Sequence, residues 1–154
     1  MLAVRRLAAR DVPAIAAIVL ALPDYLTEDV ARQVERDSAS HDAWVLTDSE
    51  EIAGFAVARR KSAGAAEILW MAIDPGRRGR GAGTVLLDHV LDDLAAAGTK
   101  LVEVKTLDRS AGYPPYEATC AFWERKGFVK VDPLPGWQPG NPAAIYIAAL
   151  QPTR

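Results

Sequence analysis

The chain has one cysteine, Cys120, and two histidines, His41 and His89, among 154 residues. A lone cysteine excludes an intrachain disulfide and fits a reducing compartment. The histidines lie far apart and neither neighbours a cysteine pair, so the spacing of a metal site is missing. No apolar run is long enough to cross a bilayer. The N-terminal residues Met1-Leu2-Ala3-Val4-Arg5-Arg6-Leu7 carry their charges inside the apolar pattern, unlike a signal peptide. Neither sign of charge is in marked surplus: Lys and Arg number 18, Asp and Glu 20, for a formal net charge of −2. That balance argues against a general nucleic-acid binder, which is basic overall. The expectation is a cytoplasmic protein with no metal, no membrane and no nucleic acid.

What is present fits one globular domain spanning residues 1–154. Half the residues are hydrophobic and 25% are charged, and a chain of this length buries about two-thirds of its unfolded surface. Met1–Leu7 reads as a first strand, and Asp11-Val12-Pro13 opens a helix that Asp11 is placed to cap. A second helix runs from Thr27 to about Asp37. Ala43–Thr47 and Ile52–Arg60, joined by Asp48-Ser49-Glu50-Glu51, form an antiparallel hairpin. Glu67–Ile73 is the next strand. Thr84–Ala97 carries an apolar stripe of Leu86, Leu87, Val90, Leu91 and Leu94, and ends at Gly98. Lys100–Leu107 is a strand parallel to Glu67–Ile73, given a right-handed crossover. A turn-rich stretch, Asp108–Pro115, leads to a short helix ending at Lys126-Gly127-Phe128. Pro133, Pro135, Pro139 and Pro142 then punctuate an expected long loop before a last strand, Ala144–Leu150. The class is a mixed α+β domain.

The densest chemistry lies in Arg77-Arg78-Gly79-Arg80-Gly81-Ala82-Gly83, between an apolar strand and an amphipathic helix. The first N–H groups of a helix have no intrahelical acceptor and sit at the positive end of its dipole. Glycines let that backbone approach a ligand, and arginines add formal charge. The stretch therefore predicts a site for a di- or polyphosphate. Spacing separates three kinds of site. Gly76 and Gly81 are separated as in a P-loop, but Ala82-Gly83 follow where Lys and Ser or Thr are needed. A dinucleotide fingerprint fails too, since its third glycine would fall on Thr84 or Leu86.

Arg78-x-x-Gly81-x-Gly83 instead resembles the coenzyme A loop of the GNAT superfamily of N-acetyltransferases. The preceding Ala66-Glu67-Ile68-Leu69-Trp70-Met71-Ala72-Ile73-Asp74-Pro75 looks like that family's central motif. Ala118–Phe128 is similar to its late helix, which commonly ends in Phe-Tyr-x-x-x-Gly-Phe. The resemblance implies a central, mostly antiparallel sheet of six to seven strands flanked by about four helices, with a splayed parallel pair holding coenzyme A. It also implies N-acetyl transfer from acetyl-CoA to a primary amine, on a small molecule or a protein or peptide, by a monomer or homodimer. The alternative is a catalytically weak domain that binds acetyl-CoA as a sensor or scaffold.

By that resemblance Arg78, Gly79, Arg80, Gly81, Ala82, Gly83 and Thr84 receive the pyrophosphate, and the backbone of Met71, Ala72 and Ile73 receives the pantetheine arm. An ammonium acceptor must lose a proton before its nitrogen attacks, and a carboxylate near the thioester can take it. Glu67 is the candidate base, in an Ala-Glu-Ile context similar to the histone-modifying branch; an exposed strand-end residue is the other reading. The family's usual acid is the Tyr of its late motif, where this chain has Trp123. An indole N–H is no practical acid, so Tyr116, about two helical turns upstream, is the candidate donor. Cys120 reads as a small buried hydrophobe. For the acceptor, the family uses the segment between its first two helices and its late loops. Here those are Leu22–Leu26 with Thr27-Glu28-Asp29, Asp108–Pro115 and Pro133–Pro142. Asp24, Glu28, Asp29 and Asp108 are placed to attract a cationic amine, and Tyr25 and Trp137 to pack on it.

Overall fold

Residues 43–46 and 53–58 are buried without interruption, so the strands that carry them need cover on both faces. A computed structural model, which describes residues 1–22, 28–138 and 141–151, supplies it. Seven strands form one sheet: β1 (Leu2–Arg6), β2 (Asp42–Asp48), β3 (Glu51–Ser62), β4 (Ala65–Ile73), β5 (Leu101–Leu107), β6 (Val129–Gln138) and β7 (Asn141–Ala149). Their order is β1-β2-β3-β4-β5-β7-β6. Every neighbouring pair is antiparallel except β4 and β5.

Four α-helices cover the sheet: α1 (Val12–Leu20), α2 (Glu28–Ser40), α3 (Ala82–Ala96) and α4 (Pro114–Arg125). On one face Ile15, Ile18 and Val19 of α1 and Val34 of α2 pack on Val45, Phe55 and Val57. On the other, Leu86, Leu87, Val90 and Leu94 of α3 and Cys120 and Trp123 of α4 pack on Trp44, Ala56, Ile68, Val104 and Tyr146. Each large apolar side chain so buried contributes about 1.5–3 kcal/mol of transfer free energy.

A bulge in β4 sets which side chains reach which face. Trp70 pairs with Val57 and Ile68 with Ala58, which leaves Leu69 as an extra residue. Alternation is reset there. Leu69, Trp70 and Ala72 pack with the α1–α2 cluster, whereas Ile68, Met71 and Ile73 pack with the α3–α4 cluster.

Three sequence expectations change. The expected proline loop from Pro133 to Pro142 is instead largely strand, the ends of β6 and β7. β6 is an edge strand, so only one flank must pair, and a residue without an N–H is tolerated there; its register is irregular between Leu134 and Gln138. Asp11 does not cap α1 with its side chain. Its buried carboxylate instead takes both guanidinium nitrogens of Arg5 at 2.7 and 3.0 Å and the Ala8 N–H at 2.7 Å. α3 starts at Ala82 rather than Thr84, since Gly81 in a left-handed conformation ends the turn earlier.

Candidate functional site

The single parallel pair is short. β4 meets β5 only where Ala65–Ile68 lie beside Leu101–Val104. Beyond this, β4 runs on beside β3 and β5 beside β7, so a gap opens between residues 69–73 and 105–107. The Asp74 N–H donates to the Ala53 carbonyl at 2.8 Å. Antiparallel alternation then turns the polar backbone groups of Ala72 toward β3 and those of Met71 and Ile73 toward the gap. Strand backbone facing an opening is a place for an extended ligand to pair.

The arginine–glycine turn sits at the end of β4. Asp74 accepts the Gly76 N–H at 3.2 Å and so caps one turn of 3-10 helix, Pro75–Arg77. Arg77 is turned away from any ligand: its guanidinium donates to Asp48 at 2.8 Å and to Glu51, at the β2–β3 turn. Arg78 and Arg80 are exposed. Arg78 makes no ion pair among the described residues, and Arg80 reaches only Asp48 at 4.0 Å. Gly79 and Gly81 have φ of 84° and 72°, which a side chain would strain. The N–H groups of Ala82, Gly83 and Thr84 open α3 and have no acceptor within it. Gly83 matters for a different reason, since a Cβ there would stand 3.2 Å from the Phe122 ring and 3.9 Å from the Met71 methyl. Phe122 and Met71 thus close over the helix start.

Glu67 is not an exposed strand-end residue; it is 5% exposed. Because Ala66 and Ile68 point toward α3 and α4, Glu67 points to the opposite face. There Arg59 donates to one carboxylate oxygen at 3.0 Å, Lys105 stands 3.5 Å from the other, and Lys61 lies at 3.8 Å. Beside it burial works to raise Glu103, but the Lys61 hydrogen bond and the Lys61 and Lys105 charges outweigh it and hold its carboxyl below the ordinary value. The sequence reading did not single out these cations. The alternation Arg59-x-Lys61 on β3 and Glu103-x-Lys105 on β5, the two strands that flank β4, carried the signal.

Tyr116 is half-buried in the first turn of α4, with its ring 5.8 Å from that of Tyr113. Trp123 is a core residue, 5% exposed, packed edge-on against Phe122 and Phe128 at 5.2 and 5.0 Å. Cys120 is buried, its Sγ 3.6 Å from the Leu107 carbonyl. Among the acceptor candidates, Asp108 is occupied by Lys130 and Ser110, both at 2.5 Å, and Asp29 pairs with Arg32 at 3.3 Å. Asp24 and Tyr25, and the side chains of Glu28 and Trp137, lie outside the described residues. No group of three metal-ligating side chains lies together among the described residues. No described helix is long and apolar enough to cross a membrane.

A seven-stranded sheet that forks at its one parallel pair, with an arginine- and glycine-rich turn at the open end, defines the GNAT fold. The chain belongs to the GNAT acetyltransferases: the model of the Acetyltransferase (GNAT) domain matches residues 39–130, more than half of it. Solved structures share the fold over the whole length. A GNAT-family protein from Desulfovibrio desulfuricans superposes with a TM-score of 0.87 at 22% identity, covering 98% of this chain and 100% of that one. The ribosomal-protein-S18-alanine N-acetyltransferase from Escherichia coli gives 0.80 at 21%, covering 100% and 97%. A GNAT-family acetyltransferase from Elizabethkingia anophelis with acetyl-CoA bound gives 0.71 at 17%, covering 97% and 98%. Comparison with curated proteins gives no match.

Proposed function

We propose that the protein transfers acetyl from acetyl-CoA to a primary amine by direct attack. The observation that carries this reading is the β4–β5 fork ending in the arginine–glycine turn. It offers an extended ligand a strand edge along its length and a positive terminus at one end. The N–H groups of Ala82, Gly83 and Thr84 and the side chains of Arg78 and Arg80 hold the pyrophosphate; hydrogen bonds to charged groups are worth about 1.5–3 kcal/mol each. Met71 and Ile73 pair with the pantetheine arm, and an N–H here polarises the thioester carbonyl. Glu67 takes a proton from the acceptor ammonium; the freed amine forms the C–N bond as the C–S bond breaks. The coenzyme A thiolate leaves and takes a proton from Tyr116 or from water, and the nitrogen's second proton, released as the amide forms, restores that donor.

A ligand that binds only the folded state raises its stability, by about 2.7 kcal/mol at a hundred times Kd. Acetyl-CoA is therefore expected to raise Tm by roughly 5–10 °C, and ATP to leave it unchanged. No response to acetyl-CoA overturns the reading. Thiol release across polyamines, amino acids, aminoglycosides and lysine peptides then separates enzyme from sensor: binding without turnover of any amine identifies a sensor or scaffold. Glu67→Gln is expected to lower kcat at neutral pH and to recover part of the rate at alkaline pH, where more amine is already deprotonated. A rate unchanged across that range removes Glu67 from the mechanism.

A further inference from the structure

Five charged side chains gather on the sheet face opposite α3 and α4, where β4 and β5 part. Arg59 and Lys61 come from β3, Glu67 from β4, and Glu103 and Lys105 from β5. Three cations face two carboxylates. Two of the contacts are short: Arg59 to Glu67 at 3.0 Å and Lys61 to Glu103 at 2.6 Å. Each makes a nearly neutral pair. Lys105 differs, standing 3.5 Å from Glu67 and 3.6 Å from Glu103, outside the range of about 2.7–2.9 Å of a charge-assisted hydrogen bond. By count it is the surplus cation, held only by these two longer ion pairs.

Its place in the chain makes that surplus meaningful. Ile68 beside Val104 is the last parallel pair, so Lys105 is the first residue of β5 on the open side of the fork. Its side chain is 25% exposed, within reach of a ligand without lying free in solvent. We propose that Lys105 receives an anionic group, a carboxylate or a phosphate, that the acceptor carries next to its amine. This rests on the acetyl-transfer reading above and names the acceptor class for it.

The charge count supports this. A polycationic acceptor would enter a cluster already one positive charge in excess, with both carboxylates engaged. An acceptor bearing its own anion sets that charge against the surplus cation and leaves the excess no larger, whereas a polycation only adds to it. The same contact prepares the chemistry. As Lys105 Nζ moves to the acceptor's anion, it uncovers the Glu67 oxygen it faced, Oε2. That oxygen then takes a proton from the acceptor ammonium, leaving a neutral carboxylic acid and a neutral amine.

The test compares matched amines by thiol release at saturating acetyl-CoA. Lysine is set against cadaverine, phenylalanine against phenethylamine, phosphoethanolamine against ethanolamine, and lysine peptides with a neighbouring glutamate against those without. The anion-bearing member of a pair is expected to have at least tenfold higher kcat/KM, and the carboxylate and phosphate arms identify which anion is preferred. Lys105→Met is expected to raise KM for that member about tenfold and to erase the preference, while Lys105→Arg keeps most of it. The melting shift caused by acetyl-CoA reports that each variant is folded. Equal or faster turnover of the anion-free amines by the unaltered protein overturns the inference and leaves acetyl transfer standing. Failure of every amine overturns acetyl transfer, and this inference with it.

Discussion

Asp108, just after β5, is a buried carboxylate that stays ionised. The Lys130 hydrogen bond first, then those from Ser110, hold its pKa down to about 2 against the opposing effect of burial. Between about pH 4 and pH 2 the unfolded chain therefore binds a proton that the folded chain does not. The resulting stability is fully present above the ordinary carboxylate value and disappears as pH falls toward 2. It amounts to about 2 kcal/mol at most, since Lys130 is partly exposed. Urea midpoints measured at pH 5 and pH 2.5 should show Asp108→Asn less stable than the unaltered protein at the higher pH, with the difference cut to about a third at the lower. An unchanged difference would show that Lys130 does not hold this carboxylate. Arginines diverge in the same way. Arg77 and Arg78 are adjacent in sequence, yet one is fixed by Asp48 and Glu51 while the other stays open. Sequence spacing marked all three loop arginines as one cluster. The partners of Arg77 lie 26 and 29 residues away, a separation that no local pattern reveals.

At the scale of elements, the start of α3 depends on how closely α4 approaches it. Gly83 leaves space into which Phe122 fits, with the Met71 methyl behind. Gly83→Val is expected to push Phe122 aside, weaken acetyl-CoA at least tenfold in a titration and cost about 1–3 kcal/mol by overpacking. Retained affinity would show that the ring and the ligand do not share this space. The strand β4, the turn after it and α3 were legible in the sequence because apolar periodicity and glycine placement agree there. β6 was not, because prolines argue against a strand unless its edge position is known. Trp123 stands where the family's Tyr is usual, and its position in the core follows from contacts with Phe122 and Phe128. The ring of cations around Glu67 needed three strands to be set side by side, although each strand's own alternation displayed half of it.

At the scale of the whole molecule, the fork has a mechanical meaning. Strands β1–β4 form one antiparallel ribbon and β5–β7 another, and only four residue pairs stitch the two together within the sheet. That seam is its weakest line, apart from the helices that pack across it. A molecule lying between the strands beyond the last stitch would lengthen it from within and act as a clasp. Backbone amide exchange should report this: protection of residues 65–68 and 101–104 is expected to rise on adding acetyl-CoA, more than at the β2–β3 pairing, which is complete without ligand. Equal protection at both places would mean that the two ribbons are already locked. A rise confined to the seam would make the donor a structural member of the fold, so that an acceptor meets an assembled sheet only after acetyl-CoA has closed it.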